Sequence, residues 1–150
     1  GARIRYTLDG SEPTHASTPY GIVGENDGIP FTISHNQVVK AMAEMRGCYN
    51  SAVSALTAEA PTITLTGNHV RIEGPAGSKL TYTYGSADVA TPIAPMAGSI
   101  RPTSYSGTDS DSNVVEFDLP SATSDYTIKA VAYKSGYLPS LISATVYRAH

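Results

Sequence analysis

Asp9 and Glu12 stand three residues apart in Tyr6-Thr7-Leu8-Asp9-Gly10-Ser11-Glu12-Pro13-Thr14. Two carboxylates that close are raw material for an acid pair or a cation site. The four histidines, His15, His35, His69 and His150, have no His-x-x-x-His or His-Glu-x-x-His spacing, so zinc has no local signature. Cys48 has no base beside it, which a thiolate nucleophile needs. No Gly-x-Ser-x-Gly elbow occurs among the many serines. Asp109-Ser110-Asp111-Ser112-Asn113 offers oxygens at alternate positions, as a calcium loop does, but Val114 and Pro120 stand where an EF-hand requires Gly and Glu. That run reads as a solvated turn, with calcium in another geometry as the alternative. Glu12, Asp27, Asp88 and Glu116 show no spacing that would set two acids across a glycosidic bond. The sequence therefore assigns no catalytic residue, no metal ligand and no cofactor.

Sugar binding needs exposed aromatic faces. Trp is absent and the chain has ten Tyr. Tyr6, Tyr82 and Tyr84 alternate with polar residues and are expected in the core. Tyr20, Tyr49, Tyr105 and Tyr137 fall in predicted loops or turns and are the candidate ligand contacts.

The elements that must carry these groups are strands. Ile4, Tyr6 and Leu8 alternate with Arg3, Arg5 and Thr7, the period of a half-buried strand. Asp9-Gly10 ends it, because an Asp carboxylate accepts a backbone N–H two residues on and Gly tolerates positive φ. Pro13 then holds Glu12 extended. Asp9, Gly10, Ser11, Glu12, Pro13 and Thr14 thus read as a structural turn motif.

The same design recurs. Val39-Lys40-Ala41-Met42-Ala43 through Gly47 and Ser51 lines up without a gap on Ile128-Lys129-Ala130-Val131-Ala132 through Gly136 and Ser140. Coinciding small residues on one strand face mark a close approach, and the Gly suits a turn. The earlier anchors, Ile4 and Leu80, are offset by 76 and the later ones, Val39 and Ile128, by 89, so the second copy carries 13 extra residues. These fall in a Gly-, Ser- and Thr-rich loop, 85–113, whose length suggests a specific role.

Pro61–Thr66 and His69–Glu73 read as two strands around Gly67-Asn68. The first copy has no counterpart to them, so the chain reads as starting inside its first module. The expected domains are 1–58, with front strands missing, and 60–150, joined by a short junction. A module in that state would expose a sheet edge and an apolar face, inviting completion by another chain or strand-mediated self-association.

Composition agrees with strands. Leu, Ile, Val and Phe make up only about a fifth of the chain, but a net charge of -3 and the tyrosines argue against disorder. Ile, Val and Thr far outnumber Leu. The mild acidity argues against nucleic acid, no apolar run approaches the ~20 residues of a membrane span, and one Cys makes no internal disulfide. The chain is expected to be all-β, with two modest cores in tandem.

Tyr-Thr-x-Asp-Gly-Ser-Glu-Pro-Thr at Tyr6–Thr14, followed by the Val39–Ser51 strand and turn, resembles the C-terminal β-sandwich domain of chitobiase/β-hexosaminidase. It is also similar to modules found beside fibronectin-type domains in bacterial surface proteins. In the second copy the likeness holds for Ile128–Ser140 and Ala144–Tyr147; Gly85-Ser86-Ala87-Asp88 stands in place of the turn. The resemblance implies an immunoglobulin-like sandwich in each copy, in a secreted, periplasmic or cell-surface bacterial protein. It implies an accessory, non-enzymatic role: a spacer whose first partner is the rest of its parent polypeptide. The alternative is an adhesion module that recognises glycan or another protein through loop 85–113 and exposed Tyr.

Overall fold

A computed structural model of the chain describes residues 1–21, 30–34, 36–86 and 89–150. Among these residues every regular element is a strand, twelve in all, and no helix is long and apolar enough to cross a membrane. The strands form two compact units. His35, Asp27 and Asp88 lie outside the described residues, as do 87–88 of loop 85–113.

Unit 1 comprises Gly1–Leu56 with Met96–Gly98 and Ser135–Leu138. Its described strands are β1 (Arg3–Thr7), β2 (Thr18–Tyr20), β3 (Lys40–Glu44), β4 (Ser54–Thr57) and β11 (Tyr137–Leu138), in one sheet ordered β11-β4-β3-β1-β2. Antiparallel pairing sets Ile4 opposite Ala43 and Tyr20, and Tyr6 opposite Ala41 and Thr18. Directly opposed residues share a face, so the alternation in β1 sorts the sheet into two surfaces. One carries Ile4, Tyr6, Ala41 and Ala43. The other carries Arg5, Lys40, Met42 and Glu44, where Met42 is buried and Arg5 Nε donates to Glu44 Oε1 at 2.7 Å. On the first face Tyr6 stacks on Phe31, with centroids 4.9 Å apart at 24°, and Tyr20 meets both rings edge-on.

Unit 2 comprises Thr57–Pro95, Ser99–Lys134 and Pro139–His150, and is a β-sandwich. One sheet is ordered β12-β10-β7-β8, built from β7 (Lys79–Gly85), β8 (Thr108–Ser110), β10 (Tyr126–Tyr133) and β12 (Ser143–Tyr147). The other is β5-β6-β9, from β5 (Thr62–Thr66), β6 (His69–Glu73) and β9 (Val114–Asp118). Val70, Ile72, Leu80, Leu119, Ile128, Ala130, Ala132 and Tyr147 make the buried core, with Tyr82 and Phe117 packed against it. The small side chains of Ala130 and Ala132 let the two layers close.

The two units repeat a register. Leu80 faces Ala132 and Ser110, and Tyr82 faces Ala130 and Thr108, as Ile4 faces Ala43 and Tyr20, and Tyr6 faces Ala41 and Thr18. The turn glycines after β3 and β10, Gly47 and Gly136, have φ of 81° and 86°, a conformation that side chains with a Cβ resist.

Three expectations change. Tyr20 and Tyr137 stand in β2 and β11 rather than in loops, because short partner strands capture them. Tyr84 is exposed rather than core: it is the penultimate residue of β7, with its ring 5.0 Å from that of Phe117 at the edge of the core. Loop 85–113 contains a strand, β8, hydrogen-bonded to β7.

Candidate functional site

The turn motif is built from its own polar atoms. Asp9 Oδ1 accepts the Ser11 N–H at 3.0 Å and the Ser11 hydroxyl at 2.5 Å. Thr7 Oγ1 donates to Ser11 O at 2.6 Å. Gly10 has φ of 77°, and a Cβ there would stand 3.1 Å from Ala97 O. Pro13 is buried. Thr14 N donates to Ser17 Oγ and Ser17 N returns a bond to Thr14 O, both at 2.9 Å. Glu12 accepts Lys40 Nζ at 2.6 Å. Asp9 and Glu12 thus serve different partners. The Ser11 hydroxyl, then the Ser11 N–H, hold the Asp9 carboxyl below its ordinary value of 3.8. A carboxylate so stabilised has no proton to give near neutral pH, the opposite of what a general acid needs.

This turn lines an open cleft of about 670 Å³ in unit 1, with Tyr6, Thr7, Leu8, Asp9, Ser11 and Gln37 among its walls. A second groove in unit 1, about 610 Å³, is walled largely by apolar side chains, including Ile33, Val39, Ala41, Leu56 and Tyr137. Neither brings together a nucleophile, a base and an oxyanion donor, which acyl or glycosyl transfer needs.

In unit 2 the long connection turns its polar groups inward, onto the face of the four-stranded sheet opposite the core. Thr81 and Thr83 are buried there. Thr83 Oγ1 donates to Ala90 O at 2.6 Å, and Lys129 Nζ to Val89 O at 2.9 Å. The Tyr105 hydroxyl accepts the Ile93 N–H at 2.8 Å and lies 3.0 Å from Thr81 Oγ1. Arg101 grips both oxygens of Asp109, at 2.7 and 2.6 Å, donates to Ile93 O and lies 4.5 Å from the Tyr105 ring centroid. A forked guanidinium–carboxylate contact fixes geometry as well as charge. Arg101 pulls the Asp109 carboxyl below its ordinary value against the opposing effect of burial. Beneath the loop, burial, with Asp109 and Asp111 nearby, pushes the Tyr133 hydroxyl up to about 12.

The calcium-like run is divided between cations. Asp109 serves Arg101, while Asp111 accepts Lys79 Nζ at 2.6 Å. Among the described residues no group of three or more His, Cys, Asp or Glu could hold a metal. His69 Nδ1 lies 2.7 Å from Asp118 Oδ1, and His15 and His150 are exposed. Glu116 accepts Arg71 Nη1 at 2.5 Å. Cys48 is free and exposed. Of the candidate tyrosines, Tyr20, Tyr49 and Tyr137 belong to unit 1 and Tyr105 to unit 2. Tyr49 is fully exposed, whereas Tyr105 spends its hydroxyl on the loop. The Arg101–Tyr105–Asp109 assembly has no sequence signal, because Thr81 comes from β7 and Ile93, in the same connection, stands at no periodic spacing from its partners.

With the turn, strand and register of unit 1 established, comparison with known families has a specific outcome. Residues 1–57 match the chitobiase/beta-hexosaminidase C-terminal domain. The stretch matched by the chitobiase-type domain holds the Asp9–Thr14 turn and strands β1 to β4, and residues 58–150 lie outside it. This family is a non-catalytic accessory domain of carbohydrate-active proteins. The all-β architecture is that of immunoglobulin-like modules. No match was found among curated proteins. Among solved structures, one described as a cytokine receptor complex aligns over 99% of this chain and 86% of its own at 10% identity, with a TM-score of 0.42; so distant a likeness carries no argument.

Proposed function

We propose that the chain is a non-catalytic spacer, two immunoglobulin-like modules in tandem, within a larger secreted, periplasmic or cell-surface bacterial protein. The match of residues 1–57 to the chitobiase/beta-hexosaminidase C-terminal domain carries this reading. The use of polar groups supports it. Asp9, Ser11, Arg101, Tyr105 and Asp109 satisfy one another or the backbone, and Glu12 pairs with Lys40, which favours architecture over turnover. The parent protein, on this reading, is carbohydrate-active, and its remainder is the first partner.

Incubation of residues 1–150 with chromogenic N-acetylhexosaminides and other aryl glycosides tests the proposal. No release of chromophore above buffer is expected. Release that saturates with substrate and scales with protein concentration would overturn it.

A further inference from the structure

Unit 2 has four strands at sheet edges, β5 and β9 on one sheet and β8 and β12 on the other. An edge offers a row of backbone N–H and C=O groups to any chain that can pair with it. Proteins blunt such edges with charge, Pro, bulges or short length. Three of the four are blunted here. β8 is three residues long and carries Asp109, gripped by Arg101. β9 presents Glu116 and Asp118, both exposed. β12 runs into Arg148, whose guanidinium meets Asp125.

β5 has none of these protections. Thr62-Ile63-Thr64-Leu65-Thr66 holds no charge, no Pro and no Gly, and it pairs with β6 residue for residue, without a bulge. Among the described residues no backbone hydrogen bond reaches it from the side away from β6. Its threonines are exposed, while Ile63 and Leu65 pack against the core and stay only half-buried.

The strand is also self-complementary. Read in either direction from Thr64, Thr alternates with an aliphatic residue. An antiparallel copy related by a two-fold axis through Thr64 sets Thr64 opposite Thr64, Thr62 opposite Thr66, and Ile63 opposite Leu65. The period of two keeps every Thr on the outer face and both aliphatic residues on the core face. The same operation on β9 sets Glu116 opposite Glu116, which repels. On β12 it sets Ser143 opposite Tyr147, an unmatched pair.

We propose that β5 of unit 2 is a self-association edge, its occupant a second copy of this chain paired antiparallel through Thr62–Thr66. The three-stranded sheets of the two copies then join in the order β9-β6-β5-β5-β6-β9. Main-chain bonds supply the affinity. Thr–Thr pairs line the outer face, and Ile63 against Leu65 extends each core past its edge. Five residues of pairing bury less than the ~1,200 Å² of a standard interface, so the dimer is weak, with a dissociation constant on the order of 0.1 mM.

Sedimentation velocity of the whole chain from micromolar to millimolar concentration tests this, with amide exchange in the same samples followed by NMR. The sedimentation coefficient is expected to rise with concentration. Amides within Thr62–Thr66 should gain protection in step, while those of β9 do not. Thr64→Lys sets two ammonium groups against each other at the axis and should weaken association at least about tenfold. Thr64→Glu should do the same, and an equimolar mixture of the two variants should restore association, because opposite charges then meet. Thr64 is exposed, so both variants keep the fold, which unchanged amide shifts away from β5 verify. A chain that stays monomeric at millimolar concentration would overturn the proposal. So would protection gained on another strand instead, a dimer indifferent to Thr64→Lys, or a mixture that stays monomeric. No glycoside turnover enters these readouts, so the spacer reading stands or falls separately.

Discussion

Ser140 holds Ala132 twice: its N–H donates to Ala132 O and its hydroxyl accepts the Ala132 N–H, each at 2.9 Å. Ser51 holds Ala43 in the same way, at 2.9 and 2.8 Å. Each hydroxyl then donates to the next carbonyl, Leu141 O or Ala52 O. The seryl clamp closes the turn after the Gly in both units, which explains why Ser coincides at the end of the repeat.

The two clamps should differ in strength. Ser140 and Ala132 are buried, so Ser140→Ala leaves the Ala132 N–H without its partner away from water. The expected loss is about 1–3 kcal/mol. Ser51 is exposed, water replaces its hydroxyl, and Ser51→Ala should cost under about 1 kcal/mol. Urea unfolding followed by probes in each unit checks this; equal losses would refute the clamp's dependence on burial.

This repeat was legible because its determinants are local. Ile4, Tyr6 and Leu8 alternate, Asp9-Gly10 ends a strand, and Gly47 and Ser51 recur as Gly136 and Ser140. The inward turn of loop 85–113 was not legible. Thr108–Ser110 is a three-residue strand without apolar alternation, and only pairing with Leu80–Tyr82 makes it one. Tyr105 reads as exposed from its Gly- and Ser-rich surroundings, yet its hydroxyl is bound by Ile93 N, twelve residues back. Contacts set by tertiary packing leave no periodic mark in the sequence.

The loop assembly makes its own prediction. Tyr105→Phe keeps the ring and removes the hydroxyl that accepts the Ile93 N–H. Unit 2 should lose about 1–2 kcal/mol, and the connection should become open to nicking by protease. Limited proteolysis with mass spectrometry reads the second effect. Unchanged cleavage within residues 89–107 would mean that the hydroxyl does not fasten the loop.

Acid should release the same assembly. The folded Asp109 carboxyl lies below its unfolded value near 3.8, chiefly through Arg101. Its stabilising contribution is therefore complete above that value and is lost as pH falls through the lower, folded one. Asp125, held down by the Ala149 N–H and then Arg148, behaves with the same sign. Unfolding of wild type and Asp109→Asn between pH 5 and 2 should give a shallower pH dependence for the variant. Parallel curves would exclude Asp109 as a contributor.

Alkali acts through Tyr133. Its hydroxyl ionises at about 12 in the folded chain against an ordinary 10, because burial first, and then Asp109 and Asp111, disfavour the phenolate. The unfolded chain gives up this proton at lower pH than the folded one. The stability tied to the neutral phenol is therefore full below pH 10 and drains away as pH rises toward 12. Ultraviolet absorbance of the phenolate should show a late-titrating tyrosine, and Tyr133→Phe should remove that late phase while flattening the alkaline loss of stability. If the late phase survives in the variant, it belongs to another ring, Tyr82 being the next choice because burial raises its hydroxyl as well.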